Sequence, residues 1–340
     1  MRDGQLDIYR ALLMLYIPCV IHVMYWLGDG SEPFMSLLLV EMPLIFFVAG
    51  ASLSVSRSRR GLLETVINRF KRVVVPYYIY AAVLLCLGII ATTAFKAMGQ
   101  SHLFALDLSQ YGIKDVASIL LCHDIPQFPF IWHLWFIPIY LILSCTFPLQ
   151  VQLMEKTGTW IYITACVLLF CATLFFKDFA LVKQVLCYNI FMVAGYLFYK
   201  KTKPATTALT GAIALAVVLV GVFIAGVPFC PMQGHKFPPD WLFVAYNVFV
   251  LCLIALAVGR ITLRGNRFLS IWSERGYNIY LYQSVVFAIV HLVRQKTYAD
   301  IPAPLVRAAL DACLILVLST GLSYVTYPLE RIVMKKMRLK

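Results

Sequence analysis

Charge is the scarcest resource in this chain. Only 13% of its 340 residues are charged, and just 16 are acidic. A soluble domain is typically about 45–50% apolar; here the hydrophobic fraction is 61%. No polar stretch is long enough for a soluble catalytic domain, the longest break between apolar runs being residues 96–132. The ten cysteines form no Cys-x-x-Cys pair and no metal-ligand spacing with histidine, which sets aside zinc modules and thioredoxin-like redox chemistry. No Ala-x-Ala-like site follows the first apolar run, so no removable signal peptide is expected. There is no internal repeat.

What remains is apolar helix. A spanning helix needs about 20 mostly apolar residues, and ten such runs can be marked, near 8–27, 34–55, 73–95, 133–152, 159–176, 182–199, 207–227, 241–259, 276–293 and 305–326. The expected fold is an all-α polytopic membrane protein of one transmembrane domain covering 1–340. The net charge of +13 would raise nucleic acid as a partner of a soluble chain, but here it follows the loops. Arg57, Arg59, Arg60, Arg69, Lys71 and Arg72, then Lys200, Lys201 and Lys203, then Arg331, Lys335, Lys336, Arg338 and Lys340 all fall on one side of the ten-span topology. Basic loops stay cytoplasmic, so both termini are expected inside, in the cell (inner or plasma) membrane, with no nucleic-acid partner. Cys122 and Cys230 then share the outer side, where one disulfide is possible.

Ionisable groups inside a span are costly and by default functional. The first span carries Asp7, Arg10 and His22. Counting helical rise inward from the outer ends brings His22, Glu41, Asn189, Asn247 and Asp311 to about one depth, which points to a polar chamber open to the outside. Each has a plainer reading: an intramembrane Asn can be interhelical glue, and Asp311 can pair with Arg307 four residues earlier. A lone buried carboxylate is costly, so Glu41 is expected to orient and polarise His22 as a proton-abstracting base. Trp26, Trp132, Trp135 and Trp241 sit at outer span ends, as interfacial belts do, or line an outer cavity that holds a sugar. On the inner side, Asn68-Arg69-Phe-Lys71-Arg72 leads into the third span, and arginines at a helix N-terminus suit phosphate. Arg10 and His22 lie twelve positions apart, a step that leaves them about 120° apart on a regular helix. Pro18 lies between them, so a wide turn or kink just before it is expected to return both to one interior face.

Taken together, Asp7-x-x-Arg10 with His22, Met42-Pro-Leu-Ile-Phe-Phe-Val-Ala-Gly50, Arg69-x-x-Arg72-x-x-x-Pro76-Tyr77, His133-Leu-Trp-Phe136, Gly195-Tyr-Leu-Phe198, Arg275-Gly-Tyr-Asn-Ile-Tyr-Leu-Tyr282 and Tyr327-Pro-Leu-Glu-Arg331 resemble the acyltransferase-3 family of integral-membrane acyltransferases. The resemblance implies transfer of an acyl group, commonly acetyl, from cytoplasmic acyl-CoA to a hydroxyl of an extracytoplasmic or lipid-linked glycan. His22 would be the catalytic histidine, Arg10 its companion, and Arg69, Arg72 and Lys71 the CoA-phosphate side. The polar chamber read from depth, with Asn189, Asn247 and Asp311, together with His133 and Trp135, is then expected to meet the acceptor. No permanently bound cofactor is implied; acyl-CoA is a substrate. Transfer could be direct or through an acyl-histidine. The chain departs from the family pattern in having eleven residues between Arg10 and His22 rather than ten, Glu41 where relatives often carry His, and Gln283 where many have His. The rival function, a transporter or flippase, would call for inverted repeats and paired broken helices.

Overall fold

The computed structural model describes residues 3–55, 62–99, 109, 112–121, 131–176, 178–199, 201–258 and 263–338. These are predominantly helical, with no β-strand among them. The helices are α1 (Gly4–Trp26) and α2 (Phe34–Val55), α3 (Leu62–Ala97), α4 (Ile113–Leu120), α5 (Phe136–Thr157), α6 (Thr159–Thr173) and α7 (Ala180–Phe198). Then follow α8 (Pro204–Ile224), the short α9 (Met232–Lys236), α10 (Trp241–Val258), α11 (Arg267–Thr297) and α12 (Pro304–Arg338). Among the described residues nine helices are long and apolar enough to cross a membrane. This is an all-α, multi-pass membrane protein.

Two expectations change. The fifth run, 159–176, forms only the 15-residue α6, shorter than the roughly 20 residues of a regular span. The third run extends well beyond its apolar core: α3 starts at Leu62, not near 73. Hydropathy marks where a helix is apolar. It does not mark where a helix ends, and no breaker stands between Leu62 and Val73. For α11 a capping signal fixes the start, since Asn266 Oδ1 accepts from Leu269 N at 2.8 Å. Cys122, and with it the possible disulfide, lies outside the described residues.

The site is positioned by α1, α2 and α11, with α7 behind α2. Helices α2 and α7 cross at Gly50 and Gly195, where a Cβ would stand 1.9 Å from the Met192 and Phe47 carbonyl oxygens respectively. Only glycine permits that approach, the small-residue contact by which membrane helices pack closely. Two of the family-like motifs therefore meet as one backbone contact. On its other side α1 packs along α11, with Met14 filling the space over Gly276.

Candidate active site

Helix α1 begins under Asp3, whose Oδ1 accepts from Gln5 N at 3.0 Å and Leu6 N at 3.3 Å. It is regular to Tyr16, widens into a π turn over Ile17–His22, and closes as α-helix from Val23. Pro18 has no N–H to give to the carbonyl four residues back and its ring crowds that carbonyl, so an extra residue is accommodated there as a π-bulge does. The wide turn expected near Pro18 is present. It starts at Ile17 and runs on through His22 rather than ending before the proline. With one residue absorbed, twelve positions turn the chain about as far as eleven would, which on a 3.6 period returns to one face. Arg10 addresses α2, while His22 turns to α11 and to a cavity that α2 also lines. The Arg10 guanidinium hydrogen-bonds Ser52 near the end of α2, and His22 shares a cavity with Glu41 near its start. Arg10 also pairs with Asp7 at 2.8 Å.

His22 is held on three sides. Its Nδ1 lies 3.0 Å from Oε1 of Gln283 on α11. Trp26, one turn on, stacks against the imidazole at 3.7 Å between centroids and 11° between planes. Phe287 meets its ring edge-on at 6.2 Å. With the amide oxygen of Gln283 facing the ring, Nδ1 carries the proton and Nε2 keeps its lone pair. Gln283 is wholly buried, so the tautomer is set from the protein interior.

The cavity beside His22 has a volume of about 160 Å³, and Trp26, Glu41, His133, Trp135 and Lys236 share its wall. His133 is tied down in both directions. Its Nε2–H donates to the carbonyls of Tyr280 (3.1 Å) and Leu281 (3.3 Å), and the Tyr280 hydroxyl donates to the His133 carbonyl at 2.9 Å. These bonds lock the turn before α5 onto α11 next to Gln283.

Glu41 does not pair with His22. Its carboxylate forms a buried ion pair with Lys236, at the end of α9 in the loop before α10. Matching depth along the two spans would join acid and base. Depth leaves helix rotation open, and α9 supplies a cation that no span contains. The shared chamber is also smaller than expected. The Asn189 amide reaches Cys166 Sγ at 3.7 Å, and that of Asn247 donates to the Phe243 carbonyl of its own helix at 2.9 Å. Neither lines the cavity.

Asp311 is likewise elsewhere, and its cation is not Arg307. It accepts from Arg294 at 3.1 Å and from the Tyr298 hydroxyl at 2.5 Å, while Arg307 pairs with Asp29 at 2.9 Å. Arg294 bridges the group, reaching Asp29 at 2.7 Å and the Leu27 carbonyl at 3.0 Å. Burial first, and then its bond to Asp311, pushes the Tyr298 phenol above its usual range. This ion cluster fastens the end of α1 to α11 and α12, which fixes the height of His22 against Gln283.

The basic residues of α3 are arranged more loosely. Arg69, Lys71 and Arg72 do not sit at a helix N-terminus. They lie within α3, which starts at Leu62, so the backbone N–H groups around them are spent in the helix and only side chains remain for an anion. The Nε of Arg69 is buried with no hydrogen-bond partner among the described residues, Lys71 is half-buried and Arg72 is exposed. The Tyr277 hydroxyl donates to the Val73 carbonyl at 2.9 Å and sets this turn of α3 against α11.

A family model describing an acyltransferase domain, that of the acyltransferase-3 family, matches residues 3–328. The chain belongs to the acyltransferase-3 family. No curated protein and no solved structure matches it. It is an acyltransferase built within a bundle of apolar helices. Two residues now central to this acyltransferase's site escaped assignment from sequence. Gln283 was visible only as a departure from the family pattern. Lys236 carried the weaker signal of an isolated cation in a proline-rich loop.

Proposed function

We propose that this acyltransferase moves an acetyl group from acyl-CoA to a hydroxyl of an extracytoplasmic or lipid-linked carbohydrate, with His22 as general base. The observation that carries this reading is the restraint of His22: one ring nitrogen bonded to buried Gln283, one face covered by Trp26, and the ring on a cavity wall. A base needs its lone pair fixed within reach of the proton it takes. In the step proposed, Nε2 accepts the acceptor's hydroxyl proton as that oxygen bonds to the thioester carbonyl carbon. The carbon–sulfur bond then breaks, and the leaving CoA thiolate takes the proton back from the imidazolium. Transfer is direct, with no acyl-enzyme.

The volume of about 160 Å³ resembles that of an apolar protein cavity able to hold benzene, which favours a short acyl group over a long one. Trp26 and Trp135 give the wall flat aromatic faces beside polar groups, a lining suited to a sugar ring. Arg10, Arg69, Lys71 and Arg72 take the CoA phosphates through their side chains. Their end of the bundle faces the cytoplasm, with both termini, and the protein resides in the cell membrane. The test is acetyl-CoA turnover by purified protein, read as release of the CoA thiol. Turnover lost in His22→Ala while acetyl-CoA still binds supports the reading; equal turnover in that variant refutes it. Mass spectrometry of surface glycans from cells with and without the gene then names the acceptor.

A further inference from the structure

The outer loop sends one cation into the cavity. Lys236 ends α9 and is only 5% exposed, and Glu41 is 3% exposed. The two form an ion pair on the same wall as His22. The ammonium lies 5.5 Å from the Trp135 ring centroid and 5.1 Å from that of Phe237. The loop is held over the cavity by its own bonds: Met232 N donates to Ser36 Oγ at 2.8 Å, and His235 joins Asp240 at 2.6 Å and the Pro228 carbonyl at 2.7 Å. A lysine in such a loop would gain most from solvent. Burying an ion pair is a weak source of stability compared with an apolar pair of similar volume, so a merely structural role does not explain why charge is placed here.

We propose that Lys236 is a catalytic residue that stabilises the oxyanion formed at the thioester carbonyl, with Glu41 orienting it. This rests on the acyl-transfer reading above. A lysine ammonium has three N–H donors; Glu41 takes one, and the others can meet an oxygen in the cavity. His22 and Lys236 line the same cavity of about 160 Å³, so a thioester carbonyl held in it has the base and an oxyanion donor on its walls, the pairing that acyl transfer needs around one reacting atom. As the acceptor oxygen, losing its proton to His22, bonds to the carbonyl carbon, the carbonyl π electrons move onto oxygen and Lys236 donates to it. When the C=O bond re-forms, the carbon–sulfur electrons leave with CoA, and the thiolate takes the proton held by His22. Glu41 balances the ammonium, so that the positive imidazolium does not form opposite a bare cation. His133 cannot fill this role through Nε2, which is already committed to backbone carbonyls.

The experiment uses the full-length protein in nanodiscs with acetyl-CoA labelled with ¹³C at the carbonyl, read by isotope-edited infrared spectroscopy. The bound carbonyl band is expected below its free frequency in the wild type. It should return to the free value in Lys236→Met and stay partly lowered in Lys236→Arg. Thiol release in Lys236→Met should fall about a hundred- to a thousandfold, the range for loss of one oxyanion donor, with acetyl-CoA affinity kept. Because Lys236→Met leaves Glu41 buried and unpaired, the double variant Glu41→Met/Lys236→Met removes both charges together, and its band should also sit at the free value. A lowered band that persists in either variant overturns the proposal while leaving acyl transfer standing. Failure of the wild type to bind acetyl-CoA overturns the acyl-CoA reading and this inference with it.

Discussion

The two ends of α1 are built on opposite plans. Around His22 most polar groups hold a named neighbour: Nδ1 on Gln283, His133 on two carbonyls, Glu41 on Lys236, and the end of the helix clamped by Arg294, with Glu41 Oε2 and Gln283 Nε2 buried without a hydrogen-bond partner among the described residues. Arg10 holds Asp7 and Ser52, while the basic residues of α3 have fewer partners. Arg10 is half-exposed, Arg72 is exposed, and Arg69 holds a buried Nε with no hydrogen-bond partner among the described residues. Proton transfer requires geometry fixed before the substrate arrives, whereas a phosphate site can be assembled from long cationic side chains when the anion comes. On the proposed reading one helix would serve two tasks, with the π turn at Ile17–His22 lying between its two ends.

The comparison can be broken most strongly at the rigid end. His22→Ala is expected to lower kcat by about 10²–10⁴, the usual worth of a positioned base, with acetyl-CoA affinity kept; thiol release and equilibrium binding measure the two. Gln283→Leu keeps the base and loses the bond that sets its tautomer. A buried hydrogen-bond partner is worth about 1–3 kcal/mol, so kcat should fall about ten- to a hundredfold with little change in KM. At the open end the split reverses: Arg10→Ala and Arg69→Ala should each raise the KM for acetyl-CoA about tenfold, the scale of one charged hydrogen bond, and leave kcat near wild type. The smallest effect is expected from Asn247→Leu. That side chain bonds only its own helix among the described residues, so turnover should be unchanged, and a large loss would return Asn247 to the site.

Much of this was legible in the sequence. The membrane class follows from composition and the wide turn from one proline and a twelve-residue step, while the cost of His22 and Arg10 inside an apolar run marks them as candidates. Partners were not legible. Glu41 and His22 matched in depth but not in pairing, because a depth count fixes position along a helix and leaves its rotation free. Asn189, Asn247 and Asp311 were drawn into one chamber by the same count, and each turned to a neighbour in its own helix or beside it. Lys236 was hidden for a different reason. Loop residues carry no periodicity, and nothing local tells that a short turn folds back into the bundle. Arg69 and Arg72 read as helix-terminal because a hydropathy window sees the start of an apolar run and not the start of α3.

The central claim is that a donor held by the basic end of α1 presents its thioester to His22 at the other end, twelve positions and about 18 Å of helix away. Bromoacetyl-CoA tests it directly, because it alkylates whichever nucleophile its acyl carbon reaches. Peptide mass spectrometry of the purified protein is expected to find the label on His22, prevented by excess CoA and much reduced in Arg69→Ala. Label confined to residues near the basic end, such as Cys145, with His22 unmodified, would contradict the account.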